Sequence, residues 1–366
     1  MQPTFARPPR PYSEDVVARA RALHAASPVL DLHADTFIAV RYFGADLRRK
    51  TPPPLGWNPL RTHCDLPRFK QGGMRGQGFG VVIPPFVRAG QRFDHARRTL
   101  RLMGRTFARC PDDLALVRGP DELLAARAAG RLGGFFGVEG AHALDGDPER
   151  VAWLRAQGVA YLGLCHFQTN DVVASSGARR PPYRGLGPIG AAVVDACNEH
   201  GVLVDLAHCH EASFFEAIAR SRAPVVVTHG AARALADHHR NLTDEQLRAI
   251  GHSGGVVGVI FYPWYLSRKL RDDVDRVVDH MEHIAQVAGP EHVALGSDFD
   301  GFVWTVQGLP DVAAMPRLTE ALVARGWRDE HVRGALGENY LRAWGRALAV
   351  SGSAASGARA PHPPRT

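Results

Sequence analysis

Within Pro28-Val-Leu-Asp-Leu-His-Ala-Asp-Thr36, His33 and Asp35 are two residues apart in an apolar run, so an extended strand places them on one face. An imidazole beside a carboxylate at the end of a buried strand can hold a divalent cation. A single pair of this kind is more often a hydrogen-bonded core pair than a metal site. Recurrence sets it apart. Later apolar segments close on Glu139 (Gly134-Phe-Phe-Gly-Val-Glu139), His166 (Ala160-Tyr-Leu-Gly-Leu-Cys-His166) and His208 (Val202-Leu-Val-Asp-Leu-Ala-His208). Others close on His229 (Pro224-Val-Val-Val-Thr-His229) and Asp298 (His292-Val-Ala-Leu-Gly-Ser-Asp298). Core packing alone does not call for a titratable residue at the end of one apolar segment after another, and neutral imidazoles with carboxylates suit zinc. Parity gives the expected facing. Val202, Val204 and Leu206 alternate in phase with His208, Val225 and Val227 with His229, and Leu162 and Leu164 with His166. Each histidine is therefore expected to end an inward-facing apolar row.

These ligand-type residues need elements to position them, and the chain supplies about eight strands alternating with helices. Strands are expected at 29–35, 77–83, 134–139, 160–166, 202–208, 224–229, 255–261 and 292–298. Helical periodicity falls at 13–26, 92–109, 120–130, 148–157, 188–200, 211–221, from Thr243, at 272–288, 315–325 and 329–349. Thr243-Asp-Glu-Gln246 fits a capping box. This alternation predicts an α/β fold, a (β/α)8 TIM-type barrel whose strand C-termini share one face, with an open doubly wound sheet as runner-up. The division expected is a flexible arm at 1–12, one domain at 13–350, and a disordered Ala/Gly/Ser/Pro-rich tail at 351–366. Residues 36–76, with Pro52-Pro53-Pro54, read as one long functional loop.

Composition narrows the function. Of 366 residues 45% are hydrophobic and 22% charged, as in a soluble globular enzyme. No apolar run is long enough to span a bilayer, and Met1–Pro11 lacks a signal-peptide core, so a cytoplasmic protein without membrane attachment is expected. The net charge of +7 comes from scattered arginines rather than a basic block, which argues against nucleic acid. Lysine occurs only at Lys50, Lys70 and Lys269, none at a strand end. The cysteines, Cys64, Cys110, Cys165, Cys197 and Cys209, show neither disulfide nor zinc-ribbon spacing.

The string of motifs resembles the renal (membrane) dipeptidase family, zinc peptidases of family M19, in a soluble bacterial-type form. The matching segments are Asp31-Leu-His-Ala-Asp35, Asp65-Leu-Pro67, Gly137-Val-Glu-Gly140, Gly185-Leu-Gly-Pro188, Val204-Asp-Leu-Ala-His208 and Thr228-His229. His239-Arg-Asn-Leu-Thr243, Gly296-Ser-Asp-Phe-Asp-Gly301 and Gly337-Glu-Asn339 continue the order. Ala34 stands where the family often has asparagine. The resemblance implies an amidohydrolase-type barrel and two zinc ions: His33 and Asp35 on one, His208 and His229 on the other, Glu139 bridging. It further implies attack by a hydroxide held between the ions, proton handling by Asp298, oxyanion stabilisation by His166, and carboxylate binding by Arg240. Small dipeptides, with a D-residue tolerated at the C-terminal position, would be the substrates, and a homodimer the assembly.

Asn170, shortly after His166, is a further candidate to reach substrate. Asp31 and Asp300 are expected to support ligands through hydrogen bonds, and Cys165 and Cys209, out of phase with the histidines, to pack toward the helices. The competing functions are hydrolysis of N-acyl amino acids or lactones on a related barrel, and an inactive binding protein on the same scaffold. Relatives with those hydrolase activities often use His-x-His on the first strand and a carbamylated lysine bridge; this chain has His-x-Asp and no strand-end lysine. An inactive protein would lack a ligand, Asp298 or His166; this chain keeps them all.

Overall fold

A computed structural model describes residues 12–51 and 62–357, the last five as helix without their side chains. Met1–Pro11, most of the expected arm, the Pro52–Pro54 run and residues 358–366 lie outside the described residues. Nine parallel strands form the sheet: β1 (Leu30–Ala34), β2 (Gly76–Val82), β3 (Leu114–Leu116), β4 (Leu132–Glu139), β5 (Val159–Gly163), β6 (Leu203–Asp205), β7 (Val226–Gly230), β8 (Val256–Val259) and β9 (Val293–Leu295). The order is β1-β2-β4-β5-β6-β7-β8-β9, with β3 paired to β4 off the path. Eight parallel strands thus curl into a nearly closed barrel of the expected (β/α)8 kind. Segments just past β1 and β9 draw the ends together: Asp298 N–H donates to His33 O at 3.0 Å and Asp35 N–H to Phe299 O at 2.8 Å. Beneath them the buried Asp31 carboxylate accepts from Ser297 N–H (2.8 Å), Ser297 Oγ (2.5 Å) and Gln77 Nε2 (3.2 Å).

Two layers fill the interior. Leu30, Leu32, Phe135, Ala160, Tyr161, Leu203, Val226, Val256 and Ala294 cluster with Tyr340 and Trp344 of the final helix, which plugs the barrel. Val204, Val225, Val227, Leu162 and Leu164 instead pack outward with the helices. The expected facing is corrected here. The rows in phase with His166, His208 and His229 face the helices, and the histidines reach the mouth because regular alternation stops before them. β5 ends at Gly163 and β6 at Asp205, and β7 shifts register against β8 between Val227 and Gly230. β1 shifts likewise between Asp31 and Ala34, spending three residue steps against two in β2, so Leu32 lies in the inner core while His33 and Asp35 line the mouth.

Residues 36–76 are not one loop. Thr36–Phe43 and Leu66–Gln71 are helices, the second capped by Asp65, whose carboxylate accepts from Arg68 N–H at 2.9 Å. The proline-rich centre masked these short helices in the sequence. The last helix, Asn339–Gly357, runs past the boundary expected at 350, since its small Ala and Ser residues extend a helix as readily as a tail. No helix among the described residues is long and apolar enough to cross a membrane.

Candidate metal centre

Glu139 ends β4 at the mouth, and the ligand-type side chains gather around it. Its Oε1 lies 3.0 Å from His208 Nε2, 3.5 Å from His229 Nε2 and 3.9 Å from His33 Nε2, while Oε2 lies 3.4 Å from His166 Nε2. His33 Nε2 is 3.3 Å from Asp35 Oδ1 and 3.8 Å from Asp298 Oδ1; His208 and His229 bring their Nε2 atoms within 2.9 Å. Three ligand triads overlap: His33-Glu139-His229, Glu139-His166-His208 and His33-Asp35-Asp298.

The donor set fits cations. His33 Nε2, Asp35 Oδ1 and Glu139 Oε2 are buried without a hydrogen-bond partner. Ligands about 2.1 Å from a tetrahedral zinc stand about 3.4 Å apart, close to the His33–Asp35 separation and somewhat wider than the His208–His229 one. The rings are also held from behind. His33 Nδ1 meets Tyr161 Oη at 2.7 Å; His229 Nδ1 meets Thr228 Oγ1 at 3.0 Å, and that hydroxyl donates to Asp205 Oδ2 at 2.8 Å. Those bonds leave Nε2 free to ligate. The backbone contributes as well: His208 (φ 66°) and Asp298 (φ 59°) sit in the left-handed region, conformations that cost energy and are kept where they aim a side chain.

Electrostatics follow from crowding. Burial holds His208 and His229 well below the usual imidazole range and takes His166 down to about 3, so all three are neutral. Burial would lower His33 too, but the Asp35 carboxylate 3.3 Å from Nε2, reinforced by Glu139 and Asp298, raises it to about 10. Burial lifts Glu139 well above the carboxylate range, with the Asp35 charge adding to it. Asp298 rises to about 7, again mainly through burial, with Asp35 adding to the shift. A proton on His33 thus stands in for cation charge among three carboxylates, and bound dications would displace it and draw Asp298 back down.

The profile of the membrane dipeptidase family, peptidase family M19, matches residues 17–356. The chain belongs to that family. It is therefore a hydrolytic metallopeptidase of the M19 dipeptidases. A metallopeptidase from Rhodobacter sphaeroides, solved with a phosphinate mimic of the dipeptide L-Ala-D-Ala, is 28% identical, with 88% of this chain and 99% of that one covered and a TM-score of 0.78. A structure described as dipeptidase AC, a metallopeptidase of family M19, is also 28% identical, covering 88% and 98% at a TM-score of 0.78. The probable dipeptidase PvdM from Pseudomonas aeruginosa shares the fold at 22% identity, covering 93% and 100%, with a TM-score of 0.83.

In this M19 barrel a cavity of about 440 Å³ opens over the cluster, and Asp35, Glu139, His166, His208, Arg240 and Asp298 line it. Arg240 is buried over the Tyr265 ring at 5.6 Å; its Nε has no partner and Nη2 reaches His229 O only at 3.5 Å. Asn170 is not brought into the cluster. Its Nδ2 donates to Leu164 O at 2.9 Å and its Oδ1 accepts from Val172 and Val173 N–H, so the amide shapes its own loop. Asp300 accepts from Thr36 Oγ1 (2.7 Å) and His63 N–H, bracing the helix after His33-Ala-Asp35. Cys165 and Cys209 are buried in the outer core, as expected. Sequence reasoning missed Tyr161, hidden beside Leu162 in an apolar run, and the aromatic lining of Phe167, Tyr262, Tyr265, Phe302 and Trp304, which lies in loops and, for Tyr265, in a helix too short to show periodicity.

Proposed function

We propose that this chain is a dinuclear zinc dipeptidase that hydrolyses small dipeptides with free termini and accepts a D-residue at the C-terminal position. The observation that carries the reading is the placement of Glu139 Oε1 within 4 Å of His33, His208 and His229 Nε2, with Asp35 beside His33. One carboxylate touching ligands of both prospective sites is what a bridging role needs, since a shared anion screens two dications from each other. Bound there, the cations would supply an acidified water as nucleophile and polarise the scissile carbonyl.

The chain's own groups divide the remaining work. Arg240, with an unpartnered Nε in the cavity wall, suits the substrate's C-terminal carboxylate as a planar two-pronged donor. Asp298, two strands along the barrel from the β7 that precedes Arg240, takes up the proton released by the attacking water and delivers it to the leaving amine nitrogen. Neutral His166, its Nε2 3.4 Å from Glu139 Oε2, is positioned to donate to the oxygen that gains charge in the transition state. The D-residue tolerance is supported by the L-Ala-D-Ala mimic held by the Rhodobacter sphaeroides relative. The family resemblance supports a homodimer, which analytical ultracentrifugation tests.

Elemental analysis with hydrolysis of L-L and L-D dipeptides tests the proposal. About two zinc per chain and chelator-sensitive cleavage are expected. Glu139→Gln should lose metal and rate together. Two zinc without cleavage of any dipeptide, or a Glu139→Gln variant that keeps metal and rate, would overturn it.

A further inference from the structure

The cavity over the cluster is asymmetric. Arg240 and Tyr265 follow β7 and β8, on one side of the barrel mouth. From β8 the sheet continues through β9, β1 and β2, and Ile38, Val82, Phe302, Val303 and Trp304 come from β2 and from the segments after β1 and β9, with Phe302 joined to Tyr265 through Tyr262. Asp35 and Asp298 come from the same two segments, just after β1 and β9. If the substrate's carboxylate is at Arg240, its ammonium group falls toward Asp35 and Asp298, and the N-terminal side chain falls among those five apolar residues.

Their chemistry is uniform. Among the described residues lining the cavity, the charged or titrating ones are the metal-cluster side chains with Arg240, His166 and Asp298, apart from the phenols of Tyr262 and Tyr265. Among the described lining residues no lysine, and no arginine besides Arg240, is available to pair with an acidic substrate side chain, and the carboxylates present belong to the metal cluster. Phe302 stacks on Tyr262 (centroids 4.9 Å apart, planes at 26°), which fixes its ring as a wall. Val303 and Trp304 stay 39% and 46% exposed at the rim. Large apolar side chains left open beside a catalytic cavity are a surface for a ligand to cover.

We propose that this enzyme selects dipeptides whose N-terminal side chain is large and apolar, with Trp304 and Phe302 as specificity-determining residues. The inference rests on the dipeptidase reading and the Arg240 anchor. A closed hydrophobic pocket discriminates by roughly 10–200-fold per missing methylene and a half-open one by less, while a buried unpaired charge is rejected more strongly.

The test is kcat/KM of the zinc-loaded enzyme for Phe-Ala, Leu-Ala, Ala-Ala, Asp-Ala and Lys-Ala, which share one C-terminal residue. Phe-Ala and Leu-Ala should exceed Ala-Ala by about tenfold, with Asp-Ala and Lys-Ala lowest. Trp304→Ala, and separately Phe302→Leu, should cut the Phe-Ala to Ala-Ala ratio severalfold while zinc content holds. A preference for Ala-Ala or a charged dipeptide, or a ratio unmoved in both variants, overturns the inference while leaving the dipeptidase reading standing. Cleavage of none of the five, with metal bound, overturns both.

Discussion

Tyr161 Oη lies 2.7 Å from His33 Nδ1, a hydrogen bond made wholly inside the barrel. Burial keeps the phenol well above its usual pKa, so it is neutral and its oxygen accepts from Nδ1–H when Nε2 serves as ligand. Gly137 makes this possible: a Cβ there would run into the Tyr161 ring. Tyr161→Phe keeps the ring and removes the acceptor. Zinc affinity should fall about tenfold or more, the range seen when a group supporting a ligand is lost, with the fold retained. Competition against a chromophoric chelator measures it. Unchanged affinity would show that Tyr161 only packs.

Gly80 gives a second handle on the same metal position. A Cβ at this residue would collide with Asp35 Oδ1 and lie 3.0 Å from His33 Cε1. The colliding atom is the tip of a side chain on the cavity wall, so the barrel can fold around the extra methyl by turning Asp35 away. Gly80→Ala should therefore retain its circular dichroism and thermal transition yet bind about one zinc per chain, with activity lost. Two zinc in the variant would contradict the assignment of Asp35 as ligand.

Much of this site was legible because ligand-type residues interrupt apolar segments, and hydrophobic segmentation survives in any sequence. His33, Asp35, Glu139, His166, His208, His229 and Asp298 do converge at one mouth. The facing of the strands was not legible. Alternation assigns Val204 and Val227 to the inner face, whereas the register shifts and early strand ends place Leu203 and Val226 there. A bulge leaves no compositional mark, so a two-residue period fails just where the backbone re-aims a side chain. Arg240 was reached through family resemblance alone, since an arginine in a loop looks like a solvated charge until burial is known. Asn170 shows the reverse: adjacency in sequence to His166 said nothing of an amide engaged by its own loop.

Arg240 should act on substrate binding more than on chemistry. Its guanidinium lines the cavity and matches a carboxylate in shape and charge, and hydrogen bonds to charged groups contribute about 1.5–3 kcal/mol, or roughly 10–150-fold. Arg240→Lys should raise KM for dipeptides by about that factor with a smaller change in kcat. Amidating the dipeptide's C-terminus should impair the native enzyme and make little further difference to the variant. Equal, additive losses would mean that Arg240 and the carboxylate do not meet.

His280 controls the walls from outside the site, and its effect depends on pH. It accepts from Ala232 N–H at Nδ1 (3.0 Å) and donates from Nε2 to Leu266 O (2.8 Å), tying the loop after β7 to the helix Pro263–Ser267 that carries Tyr265. The bond accepted at Nδ1 needs the neutral ring, since the charged one has no lone pair there, and burial lowers the pKa from 6.5 to about 4. The unfolded chain takes up the proton near pH 6.5 while the folded one resists it, so protons favour unfolding. The contribution is complete above about pH 6.5 and fades as pH falls toward 4, by roughly 3 kcal/mol in all. His280→Gln has no proton to gain. The variant should be less stable than wild type near neutral pH, and urea titrations should show that gap narrowing by about 2 kcal/mol near pH 5. Comparing two proteins with the same metal cluster cancels acid loss of the cations. A gap that stayed constant or widened would mean that burial does not hold His280 neutral.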